Sequence, residues 1–144
     1  MNGNVGIPFA GQRMICMALV LGMAMYAVVV GLILKLNDGV GMIEEPIEVL
    51  DTIALVVGIA VAVLAVFARI LIAKKAATAD KDQRATPRFL SLVVPLVLLE
   101  GGCLLAITVW MLNGNAVPAL AVACVLLSIA IAMIPLQDRD TDTI

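Results

Sequence analysis

The sequence predicts an all-α integral membrane protein whose four transmembrane helices form two consecutive hairpins. Three observations lead to this prediction: 63% of the 144 residues are hydrophobic, 14% are charged, and the mean hydropathy is +1.15. Ordinary soluble domains are about 45–50% apolar and about 25% charged. A soluble domain of this length has no interior large enough for so much apolar surface, so we expect one membrane domain covering residues 1–144.

Four apolar stretches are long enough to cross a bilayer, which takes about 20 residues. The first and the fourth contain no charged residue. The second contains Arg69 about one turn before its end, and the third contains a single charge, Glu100. Polar stretches with the residue types of turns, such as Asn37-Asp38-Gly39, separate them. The predicted helices cover residues 14–36, 50–73, 89–112 and 117–136.

The distribution of positive charge predicts the orientation, because the cytoplasmic loops of membrane proteins are enriched in Lys and Arg. With four helices, both termini and the loop between the second and third helices lie on one side of the membrane. Eight of the nine Lys and Arg residues fall on that side. We therefore expect both termini to be cytoplasmic and the acidic first loop, which includes Glu44, to face outward. The eight residues are Arg13, Arg69, Lys74, Lys75, Lys81, Arg84, Arg88 and Arg139.

Small residues at helical spacing predict the faces through which the helices pack. Lipid chains are as apolar as leucine, so helices in membranes associate where small residues let their backbones approach. These faces form helix contacts either within the monomer or between copies of the chain. The alternative is that Ala and Gly are simply common in membrane helices. The predicted packing residues are Gly22, Ala27 and Gly31 in the first helix and Ala54, Gly58 and Ala62 in the second.

Glu100 is the one acidic residue deep within a predicted transmembrane helix. It lies about 16 Å along the helix from Phe89, near the middle of a ~30 Å hydrocarbon core. An ionised carboxylate at this depth costs about 2.5–3.5 kcal/mol on insertion scales. Intramembrane carboxylates are functional-site candidates for this reason.

The residues around Glu100 weaken its helix and offer one hydrogen-bond partner. Pro95 lacks the N–H group that would continue the helical hydrogen bonding, and Gly101 and Gly102 follow the carboxylate directly. Tyr26 lies at about the same depth in the first helix, which runs in the same direction. We therefore predict a hydrogen bond from the Tyr26 hydroxyl to Glu100, with Thr108 and Ser128 as further candidates at slightly different depths.

Three roles for Glu100 remain open at this stage. It binds and releases a proton or cation, it is a structural hydrogen-bonding residue that contacts Tyr26 or another copy of the chain, or it pairs with a cationic residue of a partner. The structural role is favoured, because no second acid, base or amide lies deep enough to form a relay.

The sequence gives no sign of catalytic chemistry. It has no His, no nucleophile–base pair, no phosphate loop and no redox motif, so we expect neither an enzyme nor a cofactor. Cys16, Cys103 and Cys124 fall within predicted helices and are expected to pack there. Thiols without His make a poor metal site, and no metal is predicted. The net charge of -2 gives no basic field for nucleic acid, which leaves the lipid bilayer and other membrane chains as partners.

Residues 98–102, Leu-Leu-Glu-Gly-Gly, run on to Leu112-Asn113-Gly114-Asn115 and to a fourth helix ending at Pro135. This pattern resembles a group of small uncharacterised bacterial four-helix membrane proteins, and the resemblance covers most of the chain. It implies the same topology and a multi-pass protein of the bacterial inner (cytoplasmic) membrane, but it implies no particular activity.

The single mid-membrane carboxylate is also similar to that of the proteolipid c subunits of rotary ATPases. In that family the carboxylate carries a proton or sodium ion, which implies this role for Glu100. The chain departs from the family because Gly22 and Gly31 form no GxGxG run, and because its carboxylate lies in the first helix of a hairpin instead of the second.

The sequence therefore predicts a non-catalytic integral membrane protein, a small subunit or self-assembling helical bundle in which Glu100 is a buried polar contact. The homo-oligomer and the subunit of a larger membrane complex both fit this prediction. The alternative function is proton or cation translocation, with Glu100 as the titrating carboxylate.

Overall fold

The computed structural model describes residues 9–43, 45–78 and 85–134, and it confirms an all-helical chain with four helices. Three of them are long and apolar enough to cross a membrane, whereas the fourth has 15 residues. The helices are α1 (Phe9–Leu36), α2 (Glu48–Thr78), α3 (Ala85–Asn113) and α4 (Ala119–Met133). Several residues used in the predictions lie outside the described residues: Glu44, Lys81, Arg84, Pro135, Leu136 and Arg139.

Helices α1 to α3 extend beyond the apolar stretches that predicted them. Helix α2 begins at Glu48 and has Asp51 in its first turn and Lys75 in its last. Acidic residues near a helix N-terminus and basic residues near its C-terminus interact favourably with the helix dipole. The charged residues that end the hydrophobic stretch therefore continue the helix, and hydropathy alone marks the apolar part without marking the helix ends.

Helix α3 is the central helix of the bundle. It contacts α1, α2 and α4, and 44% of its most apolar stretch is buried, against 17% for α1 and 11% for α2. Within the described ranges, no Cα–Cα distance of 8 Å or less joins α1 to α2. These two helices, predicted as one hairpin, are therefore connected by their loop but separated by α3 and α4, both of which contact each of them.

Side-chain contacts fix the relative directions of the helices. Helix α1 runs parallel to α3, because Gly22 faces Glu100 while Gly31, further along α1, faces Trp110. Helices α2 and α4 pack on α3 together, as a Cβ atom at Gly102 would lie 2.9 Å from Val61 of α2 and 3.2 Å from Leu126 of α4. Both run antiparallel to α3, because Val109, later in α3, clusters with Ala54 and Ala119, which come earlier in α2 and α4.

The core lies mainly where α1, α3 and α4 meet. Helix α1 contributes Cys16, Met23 and Val30, which are at most 1% exposed and recur every seven residues. A seven-residue spacing keeps one stripe of a helix against its neighbour when the two cross at a small angle. From α3, Leu99 and Ile107 complete this core, and both are fully buried.

The predicted packing residues of α2 lie against α4 and α3 within the monomer. Ala54 is fully buried, Ala62 packs on the core, and a Cβ atom at Gly58 would collide with the Val122 side chain of α4. In α1, Ala27 and Gly31 are half-buried, whereas Gly22 is exposed. A small residue is thus required at position 58 to bring α2 and α4 together.

The loop between α1 and α2 is hydrogen-bonded to the C-terminal end of α3. The N–H groups of Met42 and Ile43 each donate to a carbonyl in the last turn of α3, at 3.1 Å. Asn113 is 4% exposed; its amide accepts a hydrogen bond from the N–H of Ile47 and donates one to the Ile47 carbonyl, both at 3.1 Å. The last carbonyls of a helix have no partner within it, and this loop supplies one.

Replacing Gly58 with Ala should destabilise the bundle, because the added methyl group meets Val122. Gly101→Ala is the matched control, since a Cβ atom there has nothing within 4 Å. Both substitutions gain helix propensity, so their difference isolates the steric effect, which we expect to be about 1–3 kcal/mol. Unfolding in mixed detergent micelles measures it, and equal stabilities would contradict this α2–α4 packing.

Asn113→Ala should release the loop, because it leaves both backbone groups of Ile47 without a partner in a half-buried position. We expect a cost of about 1–3 kcal/mol and faster hydrogen exchange at the amides of Met42, Ile43 and Ile47. Asn115→Ala, at an exposed position two residues further on, should leave this exchange unchanged. Unaltered exchange in Asn113→Ala would show that the amide does not hold the loop.

Candidate functional site

Glu100 lies at the middle of α3, as its sixteenth of 29 residues, and it is half-buried. Its Oε1 atom is 3.9 Å from the position that a Cβ atom on Gly22 would occupy. Because Gly22 has no side chain, the carboxyl group lies close to the backbone of α1. The central helix and a glycine of its parallel neighbour therefore define the position of the carboxylate.

The carboxylate lies on the side of α3 that faces α1, beside Gly22. Helix α4 contacts other positions of α3: Leu126 lies against Gly102, and the Ala123 carbonyl accepts a hydrogen bond from the Cys103 thiol. An apolar cleft of about 420 Å³ between α1 and α4 is lined by Ala18, Ala24 and Ile131.

The predicted hydrogen bond between Tyr26 and Glu100 is not formed. The Tyr26 hydroxyl is 3.1 Å from the hydroxyl of Thr108, which donates to the Leu104 carbonyl at 2.8 Å. The prediction assumed that the two apolar stretches start at the same depth. In the structure Gly22 is level with Glu100, so Tyr26 lies one turn, about 6 Å, further along and reaches Thr108 instead.

Within residues 9–43, 45–78 and 85–134, no hydrogen bond or ion pair involves the Glu100 carboxyl group. Thr108 of α3 and Tyr26 of α1, the polar residues near Glu100, form a hydrogen bond with each other. Cys103 is buried on another side of the helix, and its thiol donates to the Ala123 carbonyl of α4 at 3.6 Å. The described part of the monomer thus offers this carboxyl group no partner in the middle of an apolar helix.

Pro95, Gly101 and Gly102, the residues predicted to distort the helix around Glu100, all lie within α3, which extends from Ala85 to Asn113. The two glycines differ sharply in environment. Gly102 is buried against α2 and α4, where a larger residue would not fit, whereas Gly101 is exposed. Pro95 is fully buried in the same helix. Gly102 therefore serves helix packing, and Gly101 leaves the backbone of α3 uncovered.

The other ionisable and thiol side chains do not form a second site in the described part of the chain. No group of three or more His, Cys, Asp or Glu side chains that could hold a metal occurs there. Cys16 and Cys103 are buried and Cys124 is exposed, all as free thiols. The Oδ1 atom of Asp51, in the first turn of α2, is buried without a hydrogen-bond partner, a feature that the sequence did not reveal.

Charges of opposite sign collect at the two ends of the bundle. Arg13 lies near the start of α1, and Arg69, Lys74 and Lys75 lie near the end of α2, which is antiparallel to it. Among the described residues, the other end carries Lys35 and the carboxylates of Asp38, Glu45, Glu48 and Asp51. The loop hydrogen-bonded to the end of α3 belongs to this acidic end.

A double-mutant cycle distinguishes the observed contact of Tyr26 from the predicted one. Tyr26→Phe and Thr108→Val should show a coupling energy of about 0.6 kcal/mol, the average for hydrogen bonds between membrane helices. Tyr26→Phe and Glu100→Gln should show coupling near zero, because Tyr26 does not bond to the carboxylate. Both coupling energies are measured from the free energies of unfolding of the single and double mutants in micelles. A larger coupling of Tyr26 to Glu100 than to Thr108 would show that Tyr26 bonds to the carboxylate after all.

In comparisons with known proteins, no family model, no curated protein and no solved structure matches this chain.

Proposed function

We propose that this protein is a non-catalytic, multi-pass membrane subunit that assembles with another chain through Glu100. The observation that carries the proposal is the half-buried carboxyl group at the middle of α3, which has no hydrogen-bond partner among the described residues. Hydrocarbon offers no water to such a group, and an unsatisfied polar group costs several kcal/mol there. A donor from another polypeptide removes this cost, so assembly is favoured.

The proposed topology has four membrane crossings in two consecutive hairpins, with both termini in the cytoplasm. It is supported by the alternating directions of the four helices and by the basic end of the bundle, near Arg13 and Lys74, since cytoplasmic segments are enriched in Lys and Arg. The resemblance to small bacterial four-helix proteins supports a location in the bacterial inner membrane.

Substitution of Glu100 tests the assembly role. Glu100→Leu should reduce self-association or partner association about tenfold, because it removes a contact of roughly 1.4 kcal/mol, whereas Glu100→Gln should retain association, because an amide still donates and accepts hydrogen bonds. Subunit counting in liposomes and cross-linking in native membranes measure the assembled fraction, with the exposed Ala121→Leu on α4 as a control. Assembly of Glu100→Leu at the level of the unsubstituted chain would contradict the proposal.

The second candidate function is proton or cation translocation with Glu100 as the titrating carboxylate. It is favoured by the same free carboxyl group, which no hydrogen bond within the described residues holds in one state. Here Glu100→Gln should abolish ion flux into liposomes, because an amide neither takes up a proton nor neutralises a cation. Flux that disappears in this variant while assembly persists would favour translocation over the structural role, and flux that persists with poor assembly would contradict both.

A further inference from the structure

An apolar groove of about 390 Å³ runs along the outside of the bundle between α2 and α4. Its lining residues in α2 extend from position 62 to position 70, about 12 Å along the helix. This length covers most of one leaflet of a ~30 Å hydrocarbon core. We call this feature the α2–α4 groove. Its lining consists of Ala62, Val63, Val66, Phe67 and Ile70 of α2 and Ile129 of α4.

The α2–α4 groove ends at Lys74, on the basic end of the bundle. Val66 and Ile70 line the groove, and Lys74 follows at the same four-residue spacing, so it continues the same face of α2. Lys75 comes nine residues, two and a half turns, after Val66, and therefore lies on the opposite side of the helix. Two neighbouring lysines of equal charge and similar depth thus differ in whether they face the groove.

Arg69 lies at the same end of the groove, within the apolar part of α2. It follows the groove-lining Ala62 by seven residues, almost two turns, so it shares that side of the helix. Gly58 of α2 lies against Val122 of α4, and the two helices run in the same direction. Arg69 is eleven residues after Gly58, and α4 also ends eleven residues after Val122. The arginine is therefore level with the end of α4, where it is half-buried.

The charge of Arg69 has no counter-charge among the residues that the structure describes. Within these ranges it makes no hydrogen bond or ion pair. The described carboxylates lie at the other end of the bundle, apart from Glu100, which lies against α1. The apolar stretch of α2 continues for about 6 Å beyond Arg69, to Ala73. A guanidinium group at this depth is stabilised by an anion at the membrane interface.

We propose that the α2–α4 groove binds an anionic phospholipid, with an acyl chain along the groove and the phosphate group held by Arg69 and Lys74. A guanidinium group donates paired hydrogen bonds to a phosphate, and an ammonium group adds a second positive charge. The phosphate of a lipid lies at the interface, where α2 leaves the apolar region at Lys74. This inference goes beyond the proposed assembly and does not depend on it, because Glu100 lies on a different helix and faces α1.

The apolar lining and the two cations together favour an anionic lipid over other occupants. Half of residues 137–144, which follow α4 in the sequence, are charged, and such a segment does not match an apolar groove. A second copy related by a two-fold axis at the groove would bring the same cations toward each other at one depth, and like charges repel. A zwitterionic lipid fills the groove but brings no net negative charge to Arg69.

Fluorescence quenching in liposomes tests this site in the full chain. In a Trp110→Phe background, Phe67→Trp places the one tryptophan in the groove. Phosphatidylglycerol and phosphatidylcholine are mixed, and the acyl chains of one or the other are brominated, so that quenching reports which lipid occupies the groove. Each nearby cation favours an anionic lipid by about fivefold, so we expect phosphatidylglycerol to be preferred more than about tenfold. Equal quenching by the two lipids would overturn the proposal, and so would a tryptophan that neither lipid quenches, since protein would then cover the groove.

Matched substitutions separate a defined site from diffuse surface charge. Lys74→Ala and Lys75→Ala each remove one exposed positive charge, at adjacent positions. We expect the preference for phosphatidylglycerol to fall about fivefold in Lys74→Ala and in Arg69→Gln and to stay unchanged in Lys75→Ala. Equal losses in the two lysine variants, or an unchanged preference in Arg69→Gln, would overturn the proposed phosphate site.

Discussion

The fold depends on the packing of α3 against three neighbours. In a bilayer, apolar side chains gain little by leaving lipid for protein, so close contact between helices must supply the attraction. The chain provides this contact where glycines face neighbouring helices. Gly102 of α3 leaves room for side chains of both α2 and α4, and Gly58 of α2 leaves room for Val122 of α4. Helix α1 is held differently, by the seven-residue stripe of Cys16, Met23 and Val30.

The loop that follows α1 contributes to the same arrangement. Its N–H groups donate hydrogen bonds to the last carbonyls of α3, and Asn113 holds Ile47 through two more. The chain therefore crosses from α1 to α2 over the end of the central helix. A short turn would have put α2 directly beside α1. The docked loop instead lets α1 and α2 lie on either side of α3, and this separation leaves Val97, Gly101 and Leu105 of α3 exposed.

Hydropathy alone predicted the four helices, because uncharged apolar runs of about 20 residues are typical of helices that cross a bilayer. It did not predict their ends, since Glu48 and Lys75 belong to a helix that was predicted to cover only residues 50–73. The depth of Glu100 followed from its position in the sequence, but its neighbours did not. Whether Tyr26 meets Glu100 or Thr108 is decided by a shift of one turn between two helices, and that shift depends on non-local packing at Gly22 that no local pattern contains.

The position of the carboxylate on α3 is itself informative. One residue earlier, Leu99 is fully buried in the core, where a carboxylate would be enclosed without a partner. One residue later, Gly101 is exposed at the surface of the bundle, where a carboxylate would lie wholly in lipid. Position 100 falls between these environments, so its side chain touches α1 and also borders the uncovered surface. A residue that served only the internal core would be expected to bond within the monomer, as Thr108 does with Tyr26. Glu100 has no hydrogen-bond partner among the residues that the structure describes, so its half-buried carboxyl group is better suited to the proposed contact between chains.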